Sequence, residues 1–263
     1  VSAPHVLTLA YHLLSESWPP PLGISESTLR SHLGLLQQRG YVGLTFGEAE
    51  RRRRLGELPD RTVVITFDDG YASTLRAREI LADYGYRGTV FVATDFVDSG
   101  EPFSWPGLEL PSGSPSLSQL ASLTWPECRA LLESGWEIGS HTTEHGRLTD
   151  LEDEILRDHL ERSRARIVEE LGSCDTVAYP YGQADRRVAK AAAEAGYVAG
   201  CTCSARHDVD EPLRRPRINL SGSDTGVRLR VQLSPLTERV RRTELIRLAW
   251  ILRRGRSWTP RDE

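Results

Sequence analysis

Adjacent carboxylates at the end of an apolar run, Asp68-Asp69 in Thr66-Phe67-Asp68-Asp69-Gly70, carry the strongest chemical signal in the chain. The preceding Thr62-Val63-Val64-Ile65 is β-branched and apolar, the composition of a buried strand in a parallel sheet. Two carboxylates at such a strand end are costly unless they bind a cation or do proton work. A second cluster, His141-Thr142-Thr143-Glu144-His145, follows another strand-like run, Trp136-Glu137-Ile138-Gly139. Histidines four apart can present both rings to one point, which suits a divalent metal. One ion on Asp69, His141 and His145 would leave positions for water and a substrate carbonyl, with Asp68 free to act as base on that water. Blander roles exist: the Asp pair capping a helix that begins near Tyr71, and the histidines solvated in a loop. They account for each cluster separately but not for both together, and the combination points to metal-assisted hydrolysis.

The elements that must position these groups alternate. Residues 5–14 read as a strand, and 25–40 as a helix with Leu29, Leu33 and Leu36 on one face and Gly40 as its stop. A strand at 41–46, an Arg-rich helix at 48–55 and the strand leading to Asp68 follow. A helix at 73–84, a strand at 88–93 and a Pro-, Ser- and Gly-rich loop over 95–123 come next. That loop exceeds ordinary connections and reads as a lid or binding loop, or as a disordered stretch. Thr124 and Glu127 form a capping box for a helix at 125–134. A long helix at 151–171, with an acidic start, precedes a strand at 176–179, a helix at 185–195 and strands at 197–203 and 217–220. Such alternation predicts an α/β fold, most simply a distorted (β/α) barrel, whose strand C-terminal ends gather Asp68, Asp69, His141, His145 and Tyr179-Pro180-Tyr181-Gly182 on one face.

At 263 residues, with 39% hydrophobic residues and a net charge of −4, the composition is that of an ordinary globular protein and gives no case for a nucleic-acid partner. No run approaches the roughly 18 apolar residues of a membrane span, and the N-terminal residues lack a signal-peptide pattern. Cys128, Cys174, Cys201 and Cys203 show no zinc spacing and read as small buried hydrophobes, which leans towards a cytoplasmic address, or an extracellular one if a signal peptide was removed. Arg51–Arg54 reads as a solvated helix face rather than a polyanion site. We divide the chain into a main domain, residues 1–235, and a tail, 236–263, in which 236–254 read as a basic amphipathic helix. Packing against the barrel is its default, and docking to a membrane surface or a partner the minority reading. Trp105 and Trp125 flank the long loop region as candidates for stacking on sugar rings, or as core or lid residues.

Thr66–Gly70 and His141–His145 resemble the first two motifs of the polysaccharide deacetylases, carbohydrate esterases with the NodB-homology type of barrel. The resemblance implies Asp68 as catalytic base and Asp69, His141 and His145 as metal ligands. Val177-Ala178-Tyr179-Pro180-Tyr181-Gly182 is similar to the third motif, a groove wall where a backbone N–H near Tyr181 would face the oxyanion. Many members carry a base-orienting Arg in that motif where this chain has Ala178; Arg217 is the candidate replacement, with a surface or structural arginine as the alternative. The usual C-terminal Leu-x-His acid motif is missing. Leu9-Ala10-Tyr11-His12 resembles the N-terminal Tyr-His segment of the circularly permuted poly-N-acetylglucosamine deacetylase branch, which implies His12 as the general acid, a structural histidine being the alternative. The implied reaction is removal of an N-acetyl group from an amino sugar, polymeric or small, by one divalent ion: Zn²⁺ suits the ligands, and Co²⁺, Ni²⁺ and Fe²⁺ accept similar ones. A deformylase or amidase acting on another C–N bond, and a glycan-binding protein that has lost turnover, are the rival readings.

Overall fold

The computed structural model describes residues 6–103, 117–203, 211–224, 226–232 and 234. The helix expected at 236–254 and Trp105 lie outside them. Strands β1 (Val6–Tyr11), β2 (Leu13–Leu14), β3 (Gly23–Ile24), β4 (Val42–Leu44), β5 (Thr62–Phe67), β6 (Thr89–Val92), β7 (Glu137–Ser140), β8 (Thr176–Ala178), β9 (Ala199–Thr202), β10 (Arg215–Pro216) and β11 (Ile218–Asn219) alternate with helices. The helices are α1 (Glu26–Gln38), α2 (Phe46–Leu55), α3 (Thr74–Asp83), α4 (Trp125–Glu133), α5 (Asp153–Leu171), α6 (Arg186–Glu194) and α7 (Gly226–Gln232). The main sheet runs β10-β9-β8-β7-β6-β5-β1-β11, with β4 also paired to β5, and every pairing in it is parallel. Its two outermost strands, β10 and β11, are consecutive in the chain and separated by Arg217 alone. The sheet therefore curls until its edges nearly meet, giving the distorted (β/α) barrel that the alternation predicted. β1 enters between β5 and β11, with Leu9 level with Ile65 on one side and Ile218 on the other.

Period-two alternation then decides which side chains enter the interior. Val63, Ile65 and Phe67 of β5, Leu7, Leu9 and Tyr11 of β1, and Ile138 of β7 pack outward into the layer beneath the helices. Val6, Val64, Phe91, Ala178, Ala199 and Cys201 form a second core inside the barrel with Phe46 of α2. Continuing the inward set by one step past each strand end brings His12, Asp68 and His141 to the same mouth. The interior also holds Glu137, which accepts hydrogen bonds from Thr176 Oγ1 (2.6 Å), Thr89 Oγ1 (3.1 Å) and the Gly47 N–H (2.7 Å).

Several boundaries differ from the sequence reading. α2 begins at Phe46, not at residue 48, because Thr45 caps it and the Phe46 ring is drawn into the barrel core. α5 begins at Asp153 after a short 3-10 turn, Leu148–Asp150, so residues 151 and 152 are not helical. The strand expected at 197–203 shortens to Ala199–Thr202, since Tyr197 turns outward to bond Ser163 Oγ and the Leu160 carbonyl. The capping box of α4 forms as predicted. Of the two roles open to Trp125, sugar platform or core, the fold takes the second: it is a core residue with Arg166 over its ring. Within the long loop, Phe103 and Leu120 pack with Tyr71, Leu13 and Trp18, so its described flanks are built wall. Arg51 and Arg52 pair with Glu48, as a solvated helix face would, whereas Arg53 turns to Glu50, which is buried and also paired with Arg215.

Candidate active site

Asp68 and Asp69 follow β5 directly, yet neither caps a helix: α3 starts at Thr74, after Ser73. Asp69 and Gly70 both have positive φ (72° and 75°), which turns the chain so that successive carboxylates reach different partners. A side chain on Gly70 would meet Val92 Cγ1 at 2.9 Å, so the turn requires glycine. Asp68 faces Arg217, whose Nη1 donates to Oδ1 and Nη2 to Oδ2, both at 2.7 Å. Nη1 also donates to Thr66 Oγ1 (2.9 Å), and Arg217 is 2% exposed. Burial alone would raise the Asp68 pKa, but the Arg217 charge, then His141, and the paired hydrogen bonds hold it well below the usual carboxylate range. His12, partly exposed, places Nε2 4.0 Å from Asp68 Oδ2.

Asp69, His141 and His145 each bring one ligand atom within 4.8 Å of the others, all buried. His141 Nε2 and His145 Nε2 lie 3.4 and 3.5 Å from Asp69 Oδ1, which is buried and accepts no hydrogen bond from the described residues. His141 Nδ1 donates to the Ala178 carbonyl at 2.7 Å, which fixes the ring with Nε2 facing Asp69. Burial pushes His145 down to about 4, against the pull of Asp69, so this imidazole is neutral at pH 7. Burial would lower His141 as well, but contact with Asp69 and the charges of Asp68 and Asp69 hold it above its ordinary value. One carboxylate oxygen and two oriented imidazoles converging on a point, with an orphaned acceptor among them, fit a divalent cation. Thr142 and His145 adopt positive φ (68° and 61°), a strain that surrounding contacts must hold.

A family model described as polysaccharide deacetylase matches residues 55–200, more than half the chain. The chain belongs to the polysaccharide deacetylase family. Its function is accordingly hydrolytic, the deacetylation of a carbohydrate. No curated protein matches this deacetylase by sequence. Among solved structures it is similar to the Streptococcus pyogenes deacetylase PplD in complex with acetate (TM-score 0.74, 21% identity, 88% of this chain and 98% of that one). It is also similar to a de-N-acetylase from Aggregatibacter actinomycetemcomitans (TM-score 0.73, 22% identity, 87% and 99%) and to IcaB from Ammonifex degensii (TM-score 0.69, 23% identity, 86% and 95%). At these identities the likeness establishes the shared barrel. The family match covers Asp68, Asp69, His141, His145 and Tyr181 but ends short of both His12 and Arg217, whose placement rests on the geometry above.

In this deacetylase the motif-three turn leaves the Tyr181 amide out of its own hydrogen bonds, which run from Gly182 N to Tyr179 O (2.9 Å) and from Gln183 N to Pro180 O (3.3 Å). Tyr181 has φ 59°, and its ring lies 4.8 Å from that of His145. Sequence reasoning missed the groups that hold the histidine loop from α5. Thr143 Oγ1 and His159 Nδ1 share a 2.6 Å hydrogen bond. Ser163 Oγ accepts from Ser140 Oγ (2.9 Å), which in turn accepts from the Thr142 N–H (3.0 Å). The available signal was His159 and Ser163 standing one turn apart on the face that carries Leu156, Leu160 and Ile167. His159→Ala is expected to weaken divalent-metal affinity about tenfold while leaving the fold intact, because the loop between the two candidate ligands His141 and His145 loses an anchor. Competition against a chromogenic chelator measures this, and unchanged affinity would remove His159 from that role.

Proposed function

We propose that this protein removes the N-acetyl group from an N-acetylated amino sugar, in a polymer or oligomer of N-acetylglucosamine or a related glycoside, with one divalent metal on Asp69, His141 and His145. A divalent ion there, Zn²⁺ by preference, would supply Lewis acidity towards the acetamide carbonyl and the attacking water. Asp68 takes the proton from that water; its two oxygens are fixed by Arg217, so its charge is present and aimed before substrate arrives. The Tyr181 amide donates to the developing oxyanion. His12, in its imidazolium form, passes a proton to the departing amine, so that acetate and a free amino sugar leave. The single observation that carries this reading is one mouth holding both a buried, Arg-paired carboxylate and a separate Asp-His-His set.

Acetate release from N-acetylglucosamine oligomers of several lengths, by metal-stripped and Zn²⁺-reconstituted protein side by side, tests it. The stripped protein is expected to lose at least about 100-fold in rate and to regain it with Zn²⁺. Rates that climb with length favour a polymeric substrate. No release from metal-loaded protein would turn the assignment to another acyl group or sugar, with formate as the next product to assay. No release and no stoichiometric metal would favour a glycan binder that has lost turnover.

A further inference from the structure

The mouth of the barrel contains a column of rings that the catalytic groups do not explain. His141 and His145 lie 4.9 Å apart between centroids with their planes inclined by 58°, Tyr181 packs beyond His145 at 4.8 Å and 53°, and the Arg147 guanidinium caps the column 3.9 Å above the Tyr181 ring. Phe103 closes one side, edge-on to His145 at 5.6 Å. Arg147 is exposed, and among the described residues no carboxylate pairs with it. Its Nη1 instead donates to the Gln183 side chain at 3.3 Å, so the guanidinium is tethered two residues past Tyr181 while its face covers the phenol. Tyr181 needs such a cover. It holds φ 59° without being glycine, in a half-buried position where its own turn leaves the amide unused. A planar cation against an aromatic face holds a ring more firmly than a flexible ammonium does.

We propose that Arg147 is a positioning residue: by clamping the Tyr181 ring against His145 it keeps the Tyr181 backbone in its left-handed conformation, with the amide aimed at the oxyanion. This deepens the function proposed above and rests on it for its kinetic consequence. Arg147 needs no contact with substrate, and its effect passes through the Tyr181 ring. Arg147→Ala is therefore expected to lower kcat about tenfold with KM changed less than about twofold, since a slightly displaced donor costs the transition state more than the ground state. Arg147→Lys should recover part of the loss. Zn²⁺ affinity should stay within about twofold of wild type, because all three ligands remain.

The deciding experiment is a double-mutant cycle with Tyr181→Ala, paired with ¹⁵N-tyrosine NMR of the Zn²⁺-loaded protein, the Tyr181 cross-peak being identified by its absence in Tyr181→Phe. In the Tyr181→Ala background, Arg147→Ala should cost less than about twofold; in the wild-type background it should also shift or broaden the Tyr181 amide. An equal kcat loss in both backgrounds, or a loss confined to KM, would mean that Arg147 acts directly on substrate and would overturn the proposal. A Tyr181 amide unmoved by Arg147→Ala would overturn it too. If wild-type protein releases no acetate yet the amide still responds, the clamp stands and the N-deacetylase reading falls.

Discussion

Asp68→Asn lowers kcat/KM by about 10³-fold or more, because an amide cannot take the proton from the attacking water and general-base catalysis alone contributes roughly 10²–10⁴-fold. The substitution is nearly isosteric and touches none of Asp69, His141 and His145, so stoichiometric metal should remain bound. Arg217 would then face a neutral partner in a buried site, so the thermal midpoint should fall together with the activity. Kinetics at a temperature well below the midpoint, with metal content measured on the same sample, separate the two effects. Residual activity within tenfold of wild type would take the base role away from Asp68.

The second large effect is expected at Arg217. Arg217→Met leaves Asp68 buried without the partner that donates to both its oxygens, and breaking a buried pair in this way costs about 3–5 kcal/mol of folding stability. The pH dependence has a definite sign. The folded-state pKa of Asp68 is depressed, so the stability it contributes is complete above the ordinary carboxylate value near 4 and is lost as pH falls through that value towards the folded one. Urea unfolding of the metal-free proteins should therefore show the wild-type advantage at pH 7 and a narrower one at pH 3. Activity should also fall, with the acid limb of kcat/KM moving towards neutrality, since burial would no longer be opposed by the adjacent guanidinium. A stability difference below about 1 kcal/mol at pH 7 would identify Arg217 as a structural arginine of little consequence to Asp68.

Reading the fold from the sequence succeeded where local chemistry is decisive and failed where neighbours override it. Strand β5 was legible because a β-branched apolar run has few other uses, and the capping box of α4 because Thr124 and Glu127 satisfy each other's backbone. Phe46 misled because an aromatic after a strand-like stretch reads as more strand; only the barrel interior that receives its ring explains why the helix begins there. Trp125 could have been a platform beside a loop or a core residue, and its burial with Arg166 over the ring decided for the core.

The site divides along the same line. Asp68, Asp69, His141 and His145 could be named from residue type and from their positions just past strand ends, because a parallel sheet gathers those ends and buried carboxylates and imidazoles need partners. His12 and Arg217 were reached through resemblance to a family, since a lone histidine or arginine carries no periodic signal of its own. What brings Arg217 onto a carboxylate 149 residues away is closure of the barrel: β10 and β11 lie at opposite ends of the sheet order and meet across this one residue. His159 and Arg147 were invisible for the same reason, their partners being fixed by how α5 and the motif-three turn pack around the mouth. The sequence by itself determined which groups could do the chemistry and that strand ends would present them. The tertiary structure decided which groups meet, because strand order, barrel closure and strained turns depend on contacts between residues far apart in the chain.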